Sequence, residues 1–373
     1  KDTYEVQVIY TQINRDEQNN PSFNTFEFNT DDHRYFYPAS TVKMPVALLA
    51  LEKLNELSIK GIDRNTTMLT DSAYSGQTAV IEDSTSENGK PSVAHYVRKI
   101  FVVSDNDAFN RLHEFVGPGE VRIKLRNKGF DDSRIIHRLS VALSEDENRH
   151  TNPVRFIQGD SVLYSQAGKF YEGELDTEPG LLRGEGYISN GELINEPMEF
   201  GSKNFIPLNE LNGMLQRIIF PESFEPSERF SVTKDDLKFV WKCMSQLPGE
   251  TAYPAYPEDE YFDAYSKFLL YGSDSTVKIP PHIRIFNKIG LAYGFVTDVA
   301  YIVDLEKNIE FMLAATIHTN RNRIYNDGEY EYEETAFPFL RDLGQLIYNY
   351  EQERSRQYEP DLSSFRLSYE KPR

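Results

Sequence analysis

The sequence predicts an α/β fold of the α+β kind, in which one antiparallel sheet of about five strands is flanked by helices. Three observations predict it. β-rich runs open the chain, helical periodicity dominates the middle, and three strand candidates precede a final amphipathic helix. We therefore expect a sheet assembled from both ends of the chain, a mostly helical part between them, and an inserted β-hairpin element.

The first elements are a pair of strands and a long helix. Residues 4–12 and 23–29 are β-rich and are separated by a polar segment, as in a hairpin. Residues 42–57 are apolar around most of the circumference of a helix, which predicts that this helix is buried. Gly61 is expected to end it.

The remaining chain alternates between the two kinds of element. In order, we predict helices within 92–116, a long polar loop at 139–153, hairpin-like turns within 154–206, helices at 207–219 and 233–247, strands at 283–289, 294–304 and 308–317, and a helix at 336–353. The predicted organisation is a single unit over 1–373, composed of an α/β part (1–37 with 207–355), a helical part (38–153), an insertion (154–206) and a charged tail (356–373).

Composition excludes several classes of function. The net charge of −19 argues against nucleic acid or anionic lipid as a partner. The one cysteine, Cys243, excludes an intrachain disulfide, and its apolar helical surroundings predict a buried core residue. The histidines are scattered without metal-ligand spacing, so neither a metal nor another cofactor is implied. No apolar run is long enough to predict a transmembrane segment.

A Ser-x-x-Lys motif occurs twice, as Ser40 to Lys43 and as Ser275 to Lys278. An apolar helix follows the first copy, so its serine and lysine are expected on one face, one turn apart. Pro280 follows the second copy closely and prevents a helix there, which predicts a loop. Only the first copy therefore places the two side chains together.

Ser40 and Lys43 have the chemistry of a nucleophile and its base. A serine at a helix N-terminus lies beside backbone N–H groups that favour developing negative charge on oxygen. Apolar neighbours destabilise the charged form of a lysine and lower its pKa, so that its neutral amine can accept a proton. The alternative is a simple N-cap serine followed by a solvated lysine.

A Ser-Asp-Asn sequence, Ser104 to Asn106, is the second element. These residue types also favour turns and helix caps, which is the structural alternative. In a catalytic reading, the Ser104 hydroxyl relays a proton between the lysine and a leaving group. The Asn106 amide would bind a substrate amide carbonyl.

The third element is Lys288-Ile289-Gly290, in a predicted strand. An edge-strand lysine before a bulge is the structural alternative. In the catalytic reading, Lys288 supplies a cation for a substrate carboxylate, and Gly290 lets the backbone approach the substrate closely. The N–H groups of Leu291 and Ser40 would then be two oxyanion donors.

Ser-x-x-Lys, Ser-Asp-Asn and Lys-[Ser/Thr]-Gly in this order resemble the motif set of class A β-lactamases and penicillin-binding proteins. Gly294 to Asp298 and Thr151 to Pro153 also resemble family segments. The separation of the last two motifs exceeds the family's by about the size of the 154–206 insertion. The resemblance implies a β-lactamase/transpeptidase-like fold, acylation at Ser40 by a small-molecule or peptide amide that carries a carboxylate, and export to the periplasm or cell envelope.

Two departures from the family pattern affect its function. Ile289 stands where the family has a hydroxyl residue that helps bind the substrate carboxylate. The loop 138–153 lacks the Glu-x-x-x-Asn that activates the deacylating water, and the expected Glu position falls near Ser140. The nearby acids, residues 145–147, are expected to form a solvated face.

Three functions therefore remain open from the sequence. The first is a serine hydrolase that is acylated by a β-lactam or related amide and hydrolyses it. The second is a D-Ala-D-Ala-type peptidase or an esterase of the same fold, which the two departures suit better. The third is a catalytically silent binding or scaffold protein whose insertion presents a partner surface.

Overall fold

The computed structural model describes residues 3–371. Its strands are β1 (Gln7–Arg15), β2 (Pro21–Phe28), β3 (Thr67–Thr70), β4 (Val154–Gln158), β5 (Ser161–Gln166), β6 (Leu182–Arg183), β7 (Gly186–Ser189), β8 (Glu192–Ile194), β9 (Met198–Glu199), β10 (Ile283–Ala292), β11 (Phe295–Asp304), β12 (Ile309–His318) and β13 (Ile324–Tyr325). Its α-helices are α1 (Lys43–Leu57), α2 (Val93–Val103), α3 (Asn106–Val116), α4 (Pro118–Asn127), α5 (Glu145–Arg149), α6 (Leu208–Ile219), α7 (Lys234–Ser245) and α8 (Phe337–Glu353).

The predicted central sheet is confirmed. Its five strands lie in the order β10-β11-β12-β1-β2, and every neighbouring pair is antiparallel. Every residue of β11 and β12 is buried, because apolar clusters cover both faces of the sheet. β10 lies at the edge and is free to border a cleft on its outer side.

The observed helices of the helical part agree with the helices predicted from apolar periodicity, except at three points. α1 ends at Leu57 and is capped by Ser58 in a left-handed conformation, so the predicted end at Gly61 is wrong. The segment 139–153 is not only loop, because α5 begins there with a capping box between Ser144 and Glu147. The Ser-x-x-Glu spacing was the signal for this helix. α4, which has Pro118 in its first turn, was also unpredicted.

The predicted hairpin element is also confirmed. β7 and β8 pair antiparallel around Asn190 and Gly191, which both have positive φ angles, as a tight two-residue hairpin turn requires. β13 adds to β7 in parallel, and β6 pairs with β9. β4 pairs with β3, so the beginning of the 154–206 segment continues a sheet that starts at Thr67.

Residues near the C-terminus pack onto the fold. Phe365 is buried between the rings of Trp241 and Phe286, with centroid separations of 5.0 and 5.3 Å. Cys243 is fully buried, as predicted, and burial raises the pKa of its thiol to about 12. Among the described residues, no helix combines the length and apolarity that crossing a membrane requires.

Candidate active site

The Ser40 turn is a 3-10 turn, Ala39–Val42, that leads directly into α1. The Pro38 carbonyl closes it by accepting from the Thr41 backbone N–H (3.0 Å) and the Thr41 hydroxyl (2.7 Å). Ala39 has φ +46°, a left-handed conformation that strains an alanine. Lys43 is the first residue of α1, and its side chain is completely buried.

Four of the predicted site residues form one hydrogen-bonded cluster. Lys43 Nζ donates to the Ser104 carbonyl, to Asn106 Oδ1 (2.6 Å) and to Ser104 Oγ (3.3 Å). Lys288 Nζ donates to Ser104 Oγ (2.8 Å) and to the Ile289 carbonyl (2.9 Å). Because Ser104 Oγ accepts from both lysines, its own hydrogen is available for another acceptor.

The Ser-Asp-Asn segment also forms the helix caps that its residue types favour. Ser104 caps the end of α2 with φ +61°, and Asp105 caps the start of α3 by accepting from the Ala108 N–H (2.7 Å). These two caps hold the turn between α2 and α3 beside Lys43. The capping function and the proximity to Lys43 are therefore compatible.

Burial controls the charge of both lysines in the cluster. Desolvation lowers the pKa of Lys43 to about 7, while the Asp105 carboxylate acts in the opposite direction. Desolvation, and then the charge of Lys43, holds the pKa of Lys288 well below its ordinary value. A lysine with a pKa near 7 is partly neutral at neutral pH and can accept a proton.

The Lys288 strand is fixed against the Ser40 turn by Gly290. A Cβ atom at Gly290 would lie 2.4 Å from the Pro38 carbonyl oxygen, so only glycine allows this approach. The side chain of Ile289 lies on the face of β10 opposite to that of Lys288, within the apolar cluster that contains Val296 and Ala300. Lys288 is 1% exposed, so its ammonium lies beneath the surface of the site rather than in open solvent.

Ser40 borders a lobe of the surface cleft of about 540 Å³, which we call the serine lobe. Its lining residues are Tyr37, Ala39, Ser40, Asn106, Leu139, Ser140, Leu291, Ala292, Tyr293, Asn326, Gly328, Tyr330 and Tyr332. Among residues 3–371, no carboxylate lines this lobe. Lys43, Ser104 and Lys288 do not line the lobe. Asn106 does line it, and its Oδ1 accepts from Lys43, so Asn106 connects the cluster to the lobe.

A second lobe of about 540 Å³ adjoins the first and shares Tyr37, Ser140, Tyr293 and Asn326 with it. We call it the insertion lobe, because the segment 154–206 contributes part of its wall. Its other lining residues are Ile136, His137, Arg138, Val141, Ala142, Leu143, Glu145, Asn148, Leu175, Thr177, Met198, Ser202 and Lys203. Sequence patterns did not indicate this lobe, because its residues come from distant parts of the chain.

The loop 138–153, which lacks the Glu-x-x-x-Asn pattern, contacts the cluster through Ser140. Asn106 Nδ2 donates to Ser140 Oγ at 2.7 Å, and Ser140 has φ +55°. Glu147 closes the capping box of α5, while Glu145 pairs with Arg149 at 2.8 Å. These acids are engaged in local contacts at the surface, in keeping with the predicted solvated face.

The serine and lysine of the second Ser-x-x-Lys copy line neither lobe. Ser275 and Lys278 occupy an irregular turn, as predicted from the prolines that follow. Lys278 forms an exposed ion pair with Glu258. The structure therefore separates the two copies as their sequence context indicated.

The five-stranded antiparallel sheet, the Ser-x-x-Lys turn before a buried helix and the edge-strand lysine are the features that resemble β-lactamases and penicillin-binding proteins. Residues 3–164 match a family model described as Beta-lactamase enzyme family. The predicted resemblance is thereby confirmed over residues 3–164, which are similar to that family. No sequence among the curated proteins matches the chain closely enough to count as a relative.

The solved structures that are similar over most of the chain include the following two. One is described as the β-lactamase from Sphaerobacter thermophilus DSM 20745, with 12% identity, coverage of 92% of this chain and 89% of that chain, and a TM-score of 0.49. The other is described as the structure of PBP-A, with 14% identity, coverage of 92% and 91%, and a TM-score of 0.48.

Proposed function

We propose that the protein is a serine hydrolase that forms an acyl-enzyme at Ser40 with a β-lactam or a related amide. The observation that carries the proposal is the cluster in which Ser104 Oγ and Asn106 Oδ1 accept from Lys43, one turn after Ser40. A scaffold protein would require none of these buried polar contacts, whose desolvation costs free energy. Export to the periplasm or cell envelope is part of the same proposal and rests on the family resemblance alone.

In the proposed acylation, Ser40 Oγ attacks the substrate carbonyl while neutral Lys43 takes the hydroxyl proton. The new Oγ–C bond forms and the amide C–N bond breaks. The leaving nitrogen receives a proton from the Ser104 hydroxyl, which Lys43 then reprotonates. The contact between Lys43 Nζ and Ser104 Oγ, at 3.3 Å, supports this route.

Substrate binding is assigned to the groups at the mouth of the cluster. Asn106 Nδ2 has a second hydrogen beyond the one given to Ser140, and this hydrogen donates to an amide carbonyl in the acyl part of the substrate. The Ser40 and Leu291 N–H groups are the proposed oxyanion donors, since both residues line the serine lobe. Lys288 donates to Ser104 Oγ and thereby orients its hydroxyl toward the leaving group.

A D-Ala-D-Ala-type peptidase or esterase is the second candidate. It is favoured by the lining of the serine lobe, which lacks a carboxylate among residues 3–371. Without a carboxylate to activate water, hydrolysis of a β-lactam-derived acyl-enzyme is expected to be slow. The absence of a carboxylate therefore fits this candidate better than it fits an enzyme dedicated to β-lactam hydrolysis.

Mass spectrometry of the intact protein tests the proposal. After incubation with benzylpenicillin, we expect a mass increase equal to the whole penicillin, because ring opening expels no fragment. Ser40→Ala should show no increase. Unmodified wild-type protein after prolonged incubation would contradict β-lactam acylation. Comparing turnover of a chromogenic cephalosporin with that of a D-Ala-D-Ala peptide then distinguishes the two candidate enzymes.

A further inference from the structure

The cleft is larger than the reacting group of an amide substrate requires. The serine lobe alone, at about 540 Å³, has the size that a drug-sized ligand fills. The insertion lobe of equal volume opens from it across Tyr37, Ser140, Tyr293 and Asn326. A substrate that fills both lobes must therefore extend well beyond its scissile bond.

The hydrogen bond between Asn106 and Ser140 indicates which part of the substrate enters the insertion lobe. In the proposed function, Asn106 Nδ2 binds a carbonyl in the acyl part, which stays attached to Ser40. Ser140 accepts from that same Nδ2 at 2.7 Å and borders both lobes. The acyl part consequently passes Ser140 into the insertion lobe, while the leaving group lies toward Ser104.

Lys203 gives the insertion lobe an uncompensated positive charge. Its Nζ lies over the ring of Tyr293, 5.1 Å from the centroid, and in the described part of the chain it forms no ion pair. Arg138, which also lines the lobe, is paired with the buried Glu114 at 2.8 Å. Lys203 is thus the cation of this lobe that remains available to a ligand.

The other ionisable groups of the lobe do not oppose an anion. Burial lowers the pKa of His137 to about 4, so this side chain is neutral at neutral pH. Glu145 is the carboxylate of the lining, and Arg149 neutralises it at 2.8 Å. A carboxylate near Lys203 therefore meets little repulsion locally, although the whole chain has a net charge of −19.

Lys288, the cation that the motif suggested for a substrate carboxylate, is buried and donates to Ser104. We propose that the insertion lobe binds the acyl part of the substrate, and that Lys203 recognises a carboxylate on it. This inference rests on the proposed function and narrows its substrate class to extended amides or esters with an anionic acyl chain. Lys203 is a specificity residue in this account, and it takes no part in bond making.

A matched pair of penicillins tests the inference. Benzylpenicillin and α-carboxybenzylpenicillin differ by one carboxylate on the acyl side chain, and intact-mass kinetics give the acylation rate constant of Ser40 for each. We expect wild-type protein to favour the carboxylated member by about fivefold, the effect of a partly exposed ion pair. Lys203→Gln should bring the ratio close to one, and Lys203→Glu should reverse it.

The ratio of the two rates cancels any change that the substitutions cause in folding or in acylation generally. Lys238→Gln is the matched control, because Lys238 is an exposed residue of α7 that lines neither lobe. It should keep the wild-type ratio. If both penicillins acylate Ser40 and Lys203→Gln leaves the ratio unchanged, the inference is overturned while the proposed function stands. If neither penicillin acylates Ser40, both are overturned.

Discussion

The pH dependence of acylation is the prediction that follows most closely from the buried cluster. Lys43 must be neutral to accept the Ser40 proton, and burial lowers its pKa to about 7. A group with that pKa is neutral in about one molecule in eleven at pH 6 and in about ten of eleven at pH 8. The acylation rate should therefore rise about tenfold between pH 6 and pH 8 and level off above.

Asp105 provides a way to assign this pH dependence to Lys43. Its carboxylate favours the charged form of Lys43, so Asp105→Asn should lower the lysine pKa further and move the rise in rate to lower pH. Asparagine also caps helices well, which preserves the start of α3. Asp107→Asn is the control, because Asp107 is an exposed residue of α3 that pairs with Arg111.

Stopped-flow or quenched-flow measurement of acylation by benzylpenicillin from pH 5 to pH 9 gives both profiles. The substrate carboxylate stays ionised over this range, so the profile reports the enzyme. A rate independent of pH between 6 and 8 would refute Lys43 as the base. A shift to higher pH in Asp105→Asn, or an equal shift in Asp107→Asn, would refute the electrostatic reasoning.

Three further predictions concern the edge strand and the loop. Gly290→Ala should slow acylation about 10- to 100-fold, because its Cβ would displace the Pro38 carbonyl that closes the Ser40 turn; unchanged kinetics would contradict this packing. Ile289→Thr should lower the free energy of unfolding by about 2 kcal/mol in urea denaturation, since it places a hydroxyl among apolar side chains, and an equally stable variant would count against that placement. Ser140→Glu should accelerate decay of the acyl-enzyme about 100-fold by adding a carboxylate to the serine lobe, whereas Ser140→Gln should not; equal decay rates would exclude a missing base as the cause.

Much of the sheet and of the cluster was predictable from local patterns. Continuous apolar runs indicated β11 and β12, and the apolar helix after Ser40 distinguished the first Ser-x-x-Lys from its copy at Ser275. The capping box of α5 is present in the sequence, but the high charge of this segment favoured a loop over a helix. Helix and strand bounds that depend on left-handed residues, such as Ser58, differed by a few positions.

The surroundings of the cluster were not predictable, because they depend on contacts between distant segments. Nothing near Ser140 indicates that it accepts from Asn106, and nothing near Lys203 indicates that it faces Tyr293. Gly290 was expected to give a substrate access to the backbone. In the structure, the absence of a side chain lets the Pro38 carbonyl approach Gly290 instead. Predicting this contact requires knowing how β10 and α1 are placed relative to each other.

Peptide mapping of the acylated protein tests the central claim most directly. After brief exposure to benzylpenicillin and proteolysis, the penicilloyl group should be found on the peptide that contains Ser40. The label should be absent from Ser40→Ala and fully retained in Ser275→Ala, which removes the serine of the duplicate motif. A label on any other peptide, or equal labelling of Ser40→Ala, would contradict acylation at Ser40.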